Sequence, residues 1–163
     1  MAVASFGRMP PVAGHSKGAI DVGKNGVRRP AVLRIAAELK NLSTIRQFVE
    51  ESARAIGAGQ ECIADLIQAM DEAATNVIMY GYRDTSGSLE IEARRKGEQM
   101  LIALRDQAPP FDPTTVPPPD LSSPLHERRE GGLGVYLIRA MSDSLAYRAL
   151  PGGGNELTIG KHC

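Results

Sequence analysis

The chain has 163 residues, a length that suits one domain, and its 42% hydrophobic and 23% charged residues are ordinary for a soluble globular protein. Nineteen Lys plus Arg balance nineteen Asp plus Glu, which argues against a dedicated nucleic-acid binder. No apolar run approaches a membrane span and the N-terminus lacks the apolar segment of a secretory signal, so the expectation is a cytoplasmic protein with no membrane or direct nucleic-acid partner.

Residues 1–30 read as a flexible basic extension, and 31–163 as the folded domain. The extension carries Gly7, Gly14, Gly18, Gly23, Gly26, Pro10, Pro11 and Pro30 without apolar periodicity. Arg8, Lys17, Lys24, Arg28 and Arg29 outweigh its one acid, Asp21. A plain linker and a basic arm that touches an acidic partner both fit this composition. Ala31–Ile35 is a short apolar segment suited to a strand. Asn41 or Ser43 can cap the helix that follows, in which Ile45, Phe48, Val49, Ala53 and Ile56 recur at helical spacing before Gly57. A second helix begins near Gln60, with Ile63, Leu66, Ile67, Met70, Ala74, Val77 and Ile78 as its stripe. Gly81 and Asp84-Thr85-Ser86-Gly87 close it.

Leu89–Arg94 alternates with period two, Lys96-Gly97-Glu98 turns, and Met100–Leu104 returns, which makes a hairpin. Residues 108–131 are rich in Pro and Gly, and an irregular stretch of this length is usually functional or mobile. A third helix runs from Gly134, with Val135, Leu137, Ile138, Met141 and Leu145 as its stripe. A second hairpin, Leu145–Leu150 and Glu156–Lys161, closes the chain around Pro151-Gly152-Gly153-Gly154. This order predicts an α+β two-layer sandwich, with helices on one face of a mixed, mainly antiparallel sheet. Two cysteines, Cys62 and Cys163, are too few for a disulfide framework or a zinc cluster, and Cys62 reads as a packed residue.

Three places carry chemistry. Glu72 and Asn76 lie four apart on one face of the second helix, away from its apolar stripe. A carboxylate there can take a proton from a hydroxyl, and an amide oxygen can ligate Mg2+. A solvated helix face explains the same pair, because Glu61, Asp65 and Gln68 share it. Asp106 ends an apolar strand before the Pro-rich Ala108-Pro109-Pro110-Phe111, where its carboxylate can accept a hydrogen bond from a base amine or simply form a turn. Gly131-Gly132-Leu133-Gly134 opens the third helix, and such a start can cradle an anion or be a plain flexible loop.

The phrases DEAATNVIMYGY, DQAPPFDP and GGLGVYLIRAMSD, in this order, resemble the N, G1 and G2 boxes of the GHKL ATP-binding fold, and the RsbW-type anti-sigma-factor serine kinases in particular. The resemblance spans about residues 31–161. It implies that Glu72 is the general base toward a substrate serine and that Asn76 holds the Mg2+ that accompanies ATP. It implies that Asp106 reads the adenine amine, that Ala108 and Gly131, Gly132, Leu133 and Gly134 line the nucleotide site, and that residues 113–130 form a lid. Arg46 looks like the arginine through which family members contact partners. The implied partners are an anti-sigma-factor antagonist that carries the serine and a sigma factor or similar regulator. Some relatives dimerise, which extends to an expected homodimer here. Three positions depart from the pattern. Ala108 stands where Gly is usual and would be strained if that position needs a positive φ. Tyr80 stands where His is frequent. Asn155 stands where Thr is common, in a position implied to help hold the phosphates. The function this predicts is an ATP- and Mg2+-dependent serine-protein kinase. The alternative is a partner-sequestering binding module with structural ATP or none, and a lone ATPase is a third reading.

Overall fold

Alternation builds the sheet. In Ala31–Ala36, every second residue (Ala31, Leu33, Ile35) is apolar and buried, so one face of the strand is committed to a core. The computed structural model describes residues 16–18, 30–119 and 132–163. Six strands are described: β1 (Ser16–Gly18), β2 (Ala31–Ala36), β3 (Ser88–Lys96), β4 (Gln99–Asp106), β5 (Ser144–Ala149) and β6 (Asn155–His162). They form one sheet in the order β1-β2-β3-β4-β6-β5. All five ladders are antiparallel, so the "mixed" part of the expected sheet is corrected among the described residues. The expected extension lies outside the described residues except for Pro30 and Ser16–Gly18, which pair with β2. The expected lid is described only over 113–119.

Three α-helices, α1 (Leu42–Ala55), α2 (Gln60–Asn76) and α3 (Leu133–Ala140), accompany this sheet as the second layer of the sandwich. Their apolar stripes and the inward residues of β2, β3, β4 and β6 form one core. Burying such stripes, not propensity alone, makes helices of this length stable. None of them is long and apolar enough to cross a membrane. Asn41 precedes α1 but makes no cap: its Nδ2 donates instead to the Ala36 carbonyl at 2.9 Å, which ties the turn to β2. Helix α3 ends at Ala140, so Leu145 belongs to β5 and not to the helical stripe. Cys62, in the first turn of α2, is joined by a disulfide to Cys163, with Cα atoms 5.5 Å apart. Reading the two cysteines separately missed this pairing, because connectivity across 101 residues leaves no local signal.

Just past Asn76 the helix widens into a π-helix, Val77–Tyr82. Such turns are rare and often mark functional sites. This one buries Ile78 and Tyr82 and leaves Met79 and Tyr80 exposed. The Tyr82 hydroxyl donates to the Ser88 carbonyl at 2.9 Å and accepts from the Gln107 N–H at 2.8 Å. That clasp joins the end of the helix to the start of β3 and the end of β4. Gly87 makes room for it, since a Cβ there would overlap the Tyr82 ring. Gly81 likewise faces Ala108, whose Cβ would lie 2.9 Å from a Cβ added at Gly81.

The sheet face turned away from the helices carries a row of alternating charge. Arg34, Glu90, Arg105, Glu156 and Arg148 stand side by side on five strands. Arg34 reaches Glu90 at 2.7 Å, and Arg105 reaches Glu90 at 2.8 Å and Glu156 at 2.5 Å. Arg148 closes the row on Glu156 at 2.9 Å. Opposite charges directly across strands support the register.

Two consequences can be measured. Burial opposes the charge of Glu156, but hydrogen bonds from Arg105 and Arg148 outweigh it and hold the carboxyl below the ordinary glutamate range. A pKa depressed by folding contributes stability above the unfolded pKa, and that stability is lost as pH falls through the folded one. Glu156→Gln is therefore expected to cost about 1 kcal/mol near neutral pH and progressively less as pH falls through the acid range. Urea unfolding at several pH values reads this, and a pH-independent cost contradicts it. At the second site, Gly81→Ala is expected to cost about 1–3 kcal/mol by overpacking. Adding Ala108→Gly should recover most of that loss, whereas additive losses in the double-mutant cycle would refute the contact.

Candidate functional site

A cavity of about 1120 Å³ opens beside the C-terminal part of α2, the start of α3 and the loop after β4. Its volume is slightly above the range of about 300–1,000 Å³ typical of small-molecule sites. Glu72, Asn76, Asp106, Ala108, Gly132, Leu133 and Gly134 all line it. The structure thus brings together, around one space, residues that the sequence scatters over three elements. Gly131 lies outside the described residues. Arg46 does not line the cavity.

At one end, α3 starts against α2. A Cβ added at Gly134 would lie 3.0 Å from Glu72 Oε2 and 3.3 Å from both Asn76 Oδ1 and Nδ2. The carboxylate and the amide therefore converge on one point, and a side chain at Gly134 would push both of them back by a few tenths of an ångström. Gly132, just ahead, has φ 88°, the left-handed region that glycine adopts without cost. Among the described residues, neither Glu72 nor Asn76 makes a side-chain hydrogen bond, so both are available to a ligand. Two uncommitted oxygens on adjacent turns fit a hard cation of the Mg2+ type, which is commonly held by one or two protein oxygens plus substrate phosphates. Among the described residues, no group of three or more His, Cys, Asp or Glu side chains is placed to hold a metal ion.

The other end is built on strand ends. Asp106, the last residue of β4, stands directly opposite Asn155, the first residue of β6. Asp106 is 4% exposed. Its Oδ1 accepts from the Ala108 N–H at 2.8 Å and from Asn155 Nδ2 at 2.8 Å. Burial pushes the Asp106 carboxyl above the usual range, and these two donors oppose the shift. Gly154 permits the approach, because a Cβ there would overlap the Asp106 carbonyl oxygen. Asn155 was expected near the phosphates, yet its hydrogen bonds place it at the Asp106 end. Ala108 does not have a positive φ, so the strain anticipated for it is absent. Its methyl group is accommodated by Gly81.

Several residues escaped the sequence reading. Arg139 of α3 donates to the carbonyls of Pro113 and Thr114 at 3.0 and 2.8 Å, anchoring the chain where the expected lid begins. Arg83 lines the cavity and is the non-glycine residue with a positive φ, 48°, among those described. That conformation is uncommon for an L residue, and a Tyr-Arg-Asp triplet carries no sign of it. Tyr80 and Phe111, which the sequence did single out by position, are exposed and line the cavity as well. Arg46 sits on α1 and grips Asp71 of α2 through two nitrogens, at 2.9 and 2.7 Å. Asp71 immediately precedes Glu72. Such a half-exposed pair contributes about 0–1 kcal/mol.

Comparison with known proteins bears on the family and the fold. Residues 35–161 match the family described as the histidine kinase-like ATPase domain. The serine-protein kinase RsbW of Bacillus cereus strain Q1 is 28% identical over 117 residues, which cover 69% of this chain and 73% of that protein. RsbW of Bacillus anthracis strain CDC 684 has the same identity and coverage. Among solved structures, the RsbU and RsbW domains of Rv1364c from Mycobacterium tuberculosis superpose with a TM-score of 0.58 at 21% identity. That match covers 83% of this chain but spans 34% of the larger one, and it supports the fold. The chain belongs to the histidine kinase-like ATPase domain family, and its relatives include the RsbW serine-protein kinases.

Proposed function

We propose that this chain is an ATP-dependent serine-protein kinase of the anti-sigma type. The observation that carries the reading is the pairing of two ends in one cavity: Glu72 and Asn76 converging at Gly134, and buried Asp106 across from them. In this reading Asp106 accepts a hydrogen bond from the adenine amine. Ala108 and Leu133 line the nucleotide, and the backbone N–H groups of Gly132–Gly134 at the start of α3 meet its phosphates. Helix N-termini suit that task. Asn76 Oδ1 would hold Mg2+, which when bound neutralises charge on the phosphates.

Glu72 lies close enough to Asn76 to serve a hydroxyl presented at the phosphate end. Its carboxylate takes the proton of the substrate serine as the serine oxygen bonds to the γ-phosphorus. The bond from that phosphorus to the β-phosphate oxygen breaks, and ADP leaves. Positioning and charge stabilisation, more than covalent chemistry, drive such transfers. The serine belongs to an antagonist protein, and the added phosphate charge would weaken that complex and free the kinase for a sigma factor or similar regulator. Arg46 is the proposed partner contact. An acidic partner group would compete with Asp71 for it. The reading takes the protein as cytoplasmic and as a homodimer.

A phosphotransfer assay with Mg·ATP and a cognate antagonist tests this. Wild-type protein is expected to label the antagonist on serine. Glu72→Gln should slow transfer by about 100- to 10,000-fold while ATP binding persists, and Asp106→Asn should weaken ATP binding itself. A Glu72→Gln variant that labels at the wild-type rate would sink the base assignment. ATP binding and partner binding without any transfer by the wild-type protein would favour the sequestering module.

A further inference from the structure

At the cavity, the Asn155 side chain holds five hydrogen-bond partners. It is 7% exposed. Its Nδ2 donates to Asp106 Oδ1 at 2.8 Å, and to the carbonyls of Ala108 and Pro109 at 3.2 and 3.3 Å. Its Oδ1 accepts from the Phe111 N–H at 3.0 Å and the Tyr147 hydroxyl at 2.9 Å. The amide orientation is fixed by these partners, because one side offers only acceptors and the other offers donors. No other side chain of similar size supplies two N–H donors and an acceptor oxygen in one plane.

The consequence falls on Asp106. Its Oδ1 already holds two donors, while Oδ2 holds none. No fully buried side-chain oxygen among the described residues lacks a partner, so Oδ2 is not completely sealed from solvent. Asp106 lines the cavity, as do Ala108, Pro109, Pro110 and Phe111. The same amide therefore fixes the rotation of the carboxylate and the path of the loop beside it.

We propose that Asn155 is a positioning residue that sets base selectivity: it clamps Asp106 and the Ala108–Phe111 loop together, so that a single carboxylate oxygen faces the ligand and favours a purine with an exocyclic amine. This deepens the nucleotide-site reading and rests on it. Asn155 acts through Asp106 and needs no contact with the nucleotide. A threonine can give its one hydroxyl proton to Asp106 but cannot also donate to the loop carbonyls. An aspartate would set a second carboxylate against three acceptors.

The test uses the full chain with Asn155→Ala and Asn155→Thr. Calorimetry compares ATP with purine riboside triphosphate, which lacks the amine. Wild-type protein is expected to prefer ATP, and Asn155→Ala should lose about tenfold or more of that preference, the scale of a hydrogen bond to a charged group. Its affinity for purine riboside triphosphate should change far less. Asn155→Thr should regain part of the preference. Equal weakening toward both nucleotides, or an intact preference in Asn155→Ala, overturns the proposal. A ligand-free readout separates this from failure of the nucleotide reading. Carbon-13 titration of the Asp106 carboxyl should show its pKa moving up in Asn155→Ala, with Asn155→Thr nearer to wild type. The Phe111 amide should exchange faster in both variants. An unmoved Asp106 titration overturns the clamp even if wild-type protein binds no nucleotide. If Asn155→Ala does not fold, Asn155→Thr carries the test through its reduced preference and the faster Phe111 exchange.

Discussion

The register of β4 decides whether a carboxylate faces the cavity. Successive side chains of a strand point to opposite faces, so Arg105 and Asp106 must part company. Arg105 turns outward into a row of alternating charges that runs across five strands. Asp106 then turns inward beside the apolar core. A slip of one residue would bury the arginine and expose the aspartate. The charged row and the buried stripe of Met100, Ile102 and Leu104 oppose that slip from the two faces of the sheet. The same register sets Asp106 opposite Asn155, and everything at that end of the cavity follows from the pairing.

The other end depends on a distance between helices. Glu72 and Asn76 lie one turn apart on α2, and α3 begins against them. Gly134 eases that approach. One wall of the cavity is thus a rigid helix and the opposite wall is a strand end. Polar groups held on such elements keep their geometry better than groups on free loops. The loop that does contribute, Ala108–Phe111, is tied to β6 through Asn155. The segment after it is tied to α3 through Arg139. A phosphoryl-transfer site needs this kind of prior order, because most of its work is placement.

The elements were legible because their periods are clean. The stripes of α1 and α2 and the alternation of β3 and β4 are long enough to read without a structure. Glu72, Asn76, Asp106 and Gly134 were legible as positions on those elements, and their order in the chain resembles a known set of boxes. What was hidden depends on contacts between distant residues. The π-helix at Val77–Tyr82 continues a helical pattern and differs from it only through the Tyr82 clasp. Ala108 looked strained by comparison, yet its backbone is ordinary and Gly81 leaves space for its methyl group. Asn155 looked like a substitution at the phosphates, while its five partners come from β4, the loop after it and β5. The Cys62–Cys163 link and the grip of Arg46 on Asp71 likewise join residues whose sequence neighbours say nothing of each other.

In the proposed reading, one nucleotide spans both ends of this cavity. Titration of isotope-labelled protein with Mg·ATP, followed residue by residue by NMR, tests it most directly. Specific, saturable shifts are expected at the amides of Ala108 and Phe111, at Gly132–Gly134 and at the Asn76 side-chain amide, with the outer charged face of the sheet left undisturbed. Shifts at only one end, shifts on the outer face alone, or no change at millimolar nucleotide would contradict it.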